Sequence, residues 1–197
     1  MTDEVIRLRT GGELLATADP LAALLVDTVH AGASLGFLVP LDHATAAAWW
    51  RGLAPAVDAG LHALWVTRDA EGVTGTIGVR FTDLPNGTHR GEVVKLMVHR
   101  RARGRGLGRV LLAAAERGAT GAGVRLLHLD TETGSSAEGF YRAAGWERAG
   151  VIPDYATDPY GTPRPTTLFY KQTVDGRPGA IAGEAALAEP RDAPARR

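Results

Sequence analysis

The residues best suited to chemistry lie between Glu92 and Glu116, in EVVKLMVHRRARGRGLGRVLLAAAE. An apolar run, Val93 to Val98, meets a basic glycine-rich turn, His99 to Gly108, and a helical pattern follows. Leu107, Val110, Leu111 and Ala114 fall at i, i+3, i+4 and i+7, one face of an α-helix. A helix N-terminus leaves amides without acceptors and carries partial positive charge, so strand, glycine turn and helix together can hold a phosphate. Arg103, Arg105 and Arg109 crowd that predicted N-terminus with no carboxylate among them. Cations there oppose the helix dipole, and an external anion resolves the conflict. Neither common nucleotide pattern is met. G-x-x-x-x-G-K-[ST] lacks its lysine and hydroxyl, and G-x-G-x-x-G finds Arg109 where its third glycine belongs.

Two carboxylates flank this stretch. Glu92 begins the strand before the turn, and Asp130 ends the next strand, where α/β sheets bind ligands. Carboxylates at strand ends are ordinarily solvated or salt-bridged, and Lys95 is a candidate partner. Strict alternation puts Lys95 on the strand face opposite Glu92, which reads as a structural role. His128, two residues before Asp130 on the same face, could orient it. The six histidines show no metal-ligand spacing such as H-E-x-x-H, so no metal is expected.

The elements that must position these groups follow from periodicity and punctuation. Val5 to Arg9 reads as a strand ended by Gly11-Gly12. Asp19-Pro20 is a cap-and-proline start for a helix over Leu21 to His30. HAGASLGF, His30 to Phe37, is a loop. Asp42 can cap a second helix through Trp49 and Trp50, with Pro55 predicting a kink or break before Gly60. Leu61 to Thr67 and Val73 to Phe81 read as strands, and Pro85-Asn86-Gly87 marks a hairpin. After the central strand and helix come a strand over Val124 to Asp130 and a short helix capped at Ser135 and ending near Gly145. Strands over Trp146 to Ile152 and Thr166 to Lys171 are separated by a loop. The order β-α-α-β-β-β-α-β-α-β-β is an α/β or α+β mixed sheet. After Thr173 the composition turns to Ala, Gly, Pro, Arg and Glu, so 1–173 is expected to form one domain and 174–197 a disordered tail.

Composition narrows the classes. The chain has 197 residues, 45% hydrophobic and 22% charged, with a formal net charge of +0. The basic turn is therefore local and does not belong to a polybasic nucleic-acid binder. No cysteine is present, which excludes disulfides, thiolate nucleophiles and cysteine zinc sites. The first residues lack the features of a signal peptide and no apolar run reaches membrane length, so a cytoplasmic location is expected.

Arg103-Gly104-Arg105-Gly106-Leu107-Gly108 resembles the acetyl-CoA pyrophosphate loop of the GNAT acyltransferase superfamily. AEGFYRAAGW, Ala137 to Trp146, resembles that family's later helix with its tyrosine, at the family's spacing from the glycine loop. HAGASLGF, KLMV, LLHLDTETGS and IPDY extend a closer resemblance, over nearly the whole chain except the tail, to a branch of the family that acetylates a β-lactam toxin. The resemblance implies a mixed, mostly antiparallel twisted sheet flanked by helices, acetyl-CoA as acyl donor, and no metal. It implies that the backbone of Leu96, Met97 and Val98 and the loop residues Arg103, Gly104, Arg105, Gly106, Leu107 and Gly108 bind the donor. One position departs from it: many members carry an asparagine seven residues before the tyrosine, where this chain has Gly134 between Thr133 and Ser135.

The implied reaction is direct acetyl transfer to an amine in a ternary complex. An alkyl amine with a pKa of about 10 is mostly protonated at neutral pH, so a base is useful, and Glu92 and Asp130 are the candidates, acting directly or through water. Tyr141 is the candidate acid for the departing thiolate, since a phenol near about pKa 10 can protonate a thiol near about 8.5. Ser34 and Phe37 in the His30 to Phe37 loop, with Tyr155, are the expected acceptor wall. The expected associations are a small-molecule amine (a toxin, antibiotic or metabolite), no nucleic acid, no membrane, and room for a homodimer. Two rival readings are acetylation of a protein N-terminus or lysine, and a non-catalytic module that senses acyl-CoA.

Overall fold

The computed structural model describes residues 4–173; the expected tail, 174–197, lies outside the described residues. The elements run β1 (Glu4–Leu8), α1 (Gly11–His30), α2 (His43–Arg51), α3 (Ala54–Asp58), β2 (His62–Asp69), β3 (Gly72–Phe81) and β4 (Arg90–Val98). They continue with a single 3-10 turn (Arg100–Ala102), α4 (Leu107–Gly121), β5 (Leu126–Glu132), α5 (Ser136–Ala143), β6 (Glu147–Thr157) and β7 (Pro163–Gln172). One seven-stranded sheet has the order β1-β2-β3-β4-β5-β7-β6. Every neighbouring pair is antiparallel except β4 and β5, which are parallel. The expected α/β (α+β) class, a mostly antiparallel mixed sheet flanked by helices, is what forms.

Each face of the sheet buries its own core. Leu64, Val66, Val73 and Met97 pack under α1, α2 and α3 through Leu14, Leu21, Leu25, Ala46, Trp50 and Val57. On the other face Ile77, Val79, Val93, Leu127 and Leu129 pack under α4 and α5 through Leu111, Leu112, Ala115 and Tyr141. The 3.6 period of α4 thus meets alternate residues of the strands, as their patterns require.

Three boundaries differ from the sequence reading. α1 starts at Gly11 and runs through Pro20. Its start is held twice: the N-cap Thr10 hydroxyl accepts from the Glu13 amide at 3.1 Å, and the Glu13 carboxylate accepts from the amide of Arg9, one residue before the cap, at 2.5 Å. Pro20 removes one helical bond on the exposed side, while Leu14, Ala18, Leu21 and Leu25 are fully buried on the other, which outweighs it. The predicted second helix is two, because Pro55 sits in the first turn of α3, where a missing amide costs nothing. The predicted loop before the last strand is mostly strand: β6 and β7 reach Thr157 and Pro163, and Asp158 closes the hairpin by accepting from the amides of Tyr160 and Thr162, both at 3.0 Å.

Candidate active site

The site is set by an irregularity in β4. Val94 lies opposite Gly78 and Met97 opposite Thr76, so Lys95 and Leu96 together oppose one residue of β3. Lys95 has φ 53, a left-handed conformation that costs a non-glycine residue about 1 kcal/mol. Beyond this bulge β4 turns away from β5. Their parallel ladder is confined, among the described residues, to Arg90–Leu126, Gly91–Leu127 and Glu92–His128. The backbone of Leu96, Met97 and Val98 therefore borders a wedge between two parted strands.

The glycine loop stands at the wide end of that wedge. Gly104 and Gly106 have φ 80 and 78, where a side chain is strained, and Gly106 is the N-cap of α4 with no side-chain cap bond. The amides of Arg109 and Val110 both turn to the Gly106 carbonyl, at 3.0 and 3.3 Å, so the helix begins its own bonding only there. Leu107 and Gly108 supply the preceding amides at the positive end of the dipole. Arg103 is held beside them by donating Nε to the Val98 carbonyl at 3.2 Å. Arg105 and Arg109 are exposed on the same turn. This cradle fits a pyrophosphate, and the wedge fits an extended thiol-bearing arm leading from it.

Glu92 and Asp130 lie on one sheet face. A row of cross-strand partners, His62, Arg80, Glu92, His128, Tyr170 and Glu147, runs from β2 to β6 across the sheet. Asp130 follows His128 by two residues and shares its face. The Arg80 guanidinium donates both Nε (3.0 Å) and Nη2 to the same Glu92 oxygen. Arg80, and not Lys95, is thus the ion-pair partner of Glu92. Burial first, and then the charge of Glu92, push the Asp130 carboxyl above the ordinary carboxylate range, against the pull of Lys95. Burial also lowers the His128 imidazole.

Lys95 corrects the alternation argument. The bulge returns it to the face of Glu92, where Nζ donates to the Leu35 carbonyl at 2.6 Å and stands over the rings of Phe37 (5.6 Å) and Trp49 (5.2 Å). Burial lowers its pKa, and the charge of Asp130 opposes that effect. Lys95 therefore joins the loop after α1 to the carboxylate pair.

Tyr141 is buried against Phe140, Trp146 and Phe169, and burial and the charge of Asp130 both raise its pKa. A phenol in that setting stays protonated and can donate a hydrogen bond, while the raised pKa makes full proton transfer to a thiolate less favourable than from an ordinary phenol. Among the described residues its hydroxyl has no hydrogen-bond partner. Of the acceptor-wall residues, Phe37 meets Trp49 edge-on at 5.4 Å beside Lys95, and Ser34 donates to the Thr157 carbonyl at 3.2 Å. Tyr155 is exposed in an irregular part of β6, two residues before Thr157, whose carbonyl Ser34 contacts. At the family's asparagine position, Gly134 has φ 80 and donates its amide to Glu138 at 2.7 Å. The neighbouring hydroxyls turn inward, Thr133 to Thr167 at 2.8 Å and Ser135 to the Glu132 carbonyl at 2.7 Å. Ser135 thereby spends its proton on the loop, and Thr133 shares one hydrogen bond with Thr167 of β7.

Arg80, Lys95 and Trp49 are the contributors that sequence reasoning did not place. For Arg80 a signal existed, since the β3–β4 pairs are symmetric about Asn86 in the predicted hairpin turn.

A parted parallel strand pair, an anion-ready helix start and a carboxylate pair lie beside one another at this end of the sheet. Residues 60–148 match the model of the acetyltransferase (GNAT) domain. An N-acetyltransferase from Staphylococcus aureus Mu50 has a TM-score of 0.69 at 15% identity, covering 87% of this chain and 99% of that one. A ribosomal-protein-alanine N-acetyltransferase from Brucella melitensis has 0.66 at 22% identity, over 86% and 99%. The structure of yncA from Salmonella typhimurium with its cofactor acetyl-CoA has 0.68 at 17% identity, over 87% and 95%. These likenesses establish the fold. The match to that domain model over residues 60–148 makes the enzyme class N-acetyltransferase. Among the described residues no helix is long and apolar enough to cross a membrane.

Proposed function

We propose that this enzyme transfers an acetyl group from acetyl-CoA to a small amine in a ternary complex, with Asp130 as the principal proton acceptor. The observation that carries this reading is the shared face of Glu92 and Asp130 beside the β4–β5 parting. When bound, acetyl-CoA supplies the reactive thioester. The Gly104–Gly108 loop and Arg103 hold its pyrophosphate, and the amides bordering the wedge near Leu96 to Val98 stabilise the carbonyl oxygen as it gains negative charge.

Glu92 and Asp130 differ in readiness. Glu92 is neutralised by Arg80, whereas the charged form of Asp130 is disfavoured by burial and by Glu92. A carboxylate with a raised pKa is the better base. The amine nitrogen loses its proton to Asp130, directly or through water, as the C–N bond forms. The C–S bond breaks, and Tyr141 gives a proton to the sulfur.

The acceptor is inferred to be a toxin, antibiotic or metabolite amine. HAGASLGF, KLMV, LLHLDTETGS and IPDY resemble the tabtoxin resistance protein, which favours a compound of the β-lactam type. Ser34 and Phe37 would form its wall, anchored by Lys95 and Trp49, with the exposed Tyr155 near Ser34 on β6. The test is acetyl-CoA consumption across a panel of small amines, β-lactam dipeptides included, with Glu92→Gln, Asp130→Asn and Tyr141→Phe alongside. Turnover with the wild type that falls in Asp130→Asn supports the reading. Binding of acetyl-CoA without turnover on any amine overturns it and favours a sensor; turnover on peptide N-termini alone favours a protein acetyltransferase.

A further inference from the structure

A cavity of about 260 Å³ opens on the carboxylate face, lined by Arg80, Thr82, Arg90, Glu92 and His128 with the rim residue Asp83. The register explains its composition. Arg80 and Glu92 are cross-strand partners, Glu92 and His128 are partners, and Arg90 lies two residues before Glu92 on β4, hence on the same face. The cavity floor is therefore continuous with the catalytic row.

Its two arginines are not equivalent. Arg80 is committed to the Glu92 carboxylate. Arg90 is half-buried, and among the described residues its guanidinium has neither an ion-pair nor a hydrogen-bond partner. Asp83, at the rim, is exposed and forms no ion pair with it. A partly desolvated guanidinium with no counter-ion, lining a cavity beside Gly87 of the β3–β4 turn, is a receptor for a carboxylate or other oxyanion, which its planar fork binds in two parallel hydrogen bonds.

We propose that Arg90 binds an anionic group of the acceptor, so that the acetylated amine belongs to a molecule that also carries a carboxylate. This rests on the small-amine reading above and narrows its substrate class. Residues i and i+2 of a strand are about 7 Å apart, so along the sheet Glu92 lies about 7 Å from Arg90, and Asp130, two residues past the β5 partner of Glu92, about 13 Å from it; the amine and the anion are therefore separated by several bonds. A bare α-amino acid, with both groups on one carbon, spans too little. An ω-amino acid, or a molecule of similar reach, spans the gap. The cavity is then charge-matched: Glu92, with Asp130 just beyond the lining, faces the cationic end of the acceptor before proton loss, and Arg90 faces the anionic end.

The test uses the full chain with acetyl-CoA and paired acceptors: 4-aminobutanoate, 5-aminopentanoate and 6-aminohexanoate, each beside its methyl ester, with glycine as the short control. The wild type is expected to favour acid over ester by about tenfold or more in kcat/KM, the scale of one charge-assisted pair, and to use glycine poorly. Arg90→Gln should bring the acid-to-ester ratio close to one through a higher KM for the acids, and Arg90→Lys should retain part of the preference. Turnover of ester and acid alike by the wild type overturns the proposal while leaving the acetyltransferase reading intact. A preference that persists in Arg90→Gln overturns it as well. Direct titration of 6-aminohexanoate against the wild type and Arg90→Gln, followed by NMR, decides the matter independently of turnover: equal affinity for the two proteins overturns the assignment, and weaker binding to the variant supports it.

Discussion

Arg80 and Glu92 stand directly opposite each other on β3 and β4, and the guanidinium gives two hydrogen bonds to a single carboxylate oxygen. The pairing splits the work of two carboxylates that look alike in sequence. Glu92 is pinned and charge-compensated, while Asp130 carries the raised pKa that suits a proton acceptor.

Asp130→Asn should therefore lower kcat by about a hundredfold to ten-thousandfold, the usual span for losing a general base. Glu92→Gln should cost less, because Asp130 remains, and it also removes the charge that helps raise Asp130. Steady-state rates at saturating acetyl-CoA check the order. A larger loss in Glu92→Gln would reverse the assignment of the base.

The same shift gives a pH profile. The charged form of Asp130 is the active one, so kcat/KM should rise with pH through an apparent pKa above the ordinary 3.8. Because folding makes that charged form less favourable, Asp130→Asn should be at least as stable as the wild type at pH 7 despite being nearly inactive. A thermal melt beside the pH–rate profile tests both halves. A variant melting clearly below the wild type would contradict the stability half.

Tyr141→Phe keeps the ring contacts with Phe140, Trp146 and Phe169 and deletes only the hydroxyl. Loss of an acid of this kind costs about a hundredfold or more in kcat, with acetyl-CoA affinity little changed. The effect should shrink with a thioester whose thiol has a low pKa and needs no proton to leave. An unchanged kcat with the natural thioester would assign Tyr141 to the core alone.

Arg103 binds the Val98 carbonyl and stands beside amides that no side chain caps. Arg103→Glu puts a negative charge where the pyrophosphate belongs, and should raise the Kd for acetyl-CoA by about tenfold to a hundredfold, the scale of a charge-assisted hydrogen bond. Calorimetric titration reads this directly. Equal affinity would reduce the loop to an ordinary turn.

The glycine loop was legible because its signals are local: Gly104 and Gly106 need left-handed backbone, and Leu107 starts an uninterrupted helical period. The start of α1 was hidden because two signals compete. Asp19-Pro20 has the form of a helix start, yet the Thr10 cap, the Glu13 carboxylate on the Arg9 amide and the buried stripe from Leu14 to Leu25 carry the helix through it. Lys95 could not be placed by alternation, since a left-handed lysine gives no compositional sign of a bulge. The cavity around Arg90 depends on register between three strands, which only the folded sheet supplies. Local chemistry was readable; contacts across strands were not.

His62 offers a test of the site's electrostatic frame through stability. It begins the row that contains Arg80 and Glu92, lies buried against Gly78, and its Nε2 has no hydrogen-bond partner. Burial chiefly, then the charges of Arg80 and Lys95, lower its pKa from 6.5 to about 4. Between those two values the unfolded chain holds a proton at His62 that the folded protein refuses, so acidification favours unfolding throughout that window. A shift of this size corresponds to about 3 kcal/mol lost in total as the pH falls from above 6.5 to below about 4. His62→Leu has no proton to take up and should lose correspondingly less over the same range. Urea denaturation of both proteins at pH 7, 5.5 and 4.5 measures the difference. Parallel losses would mean that carboxylates elsewhere govern acid unfolding and that His62 is charged without penalty.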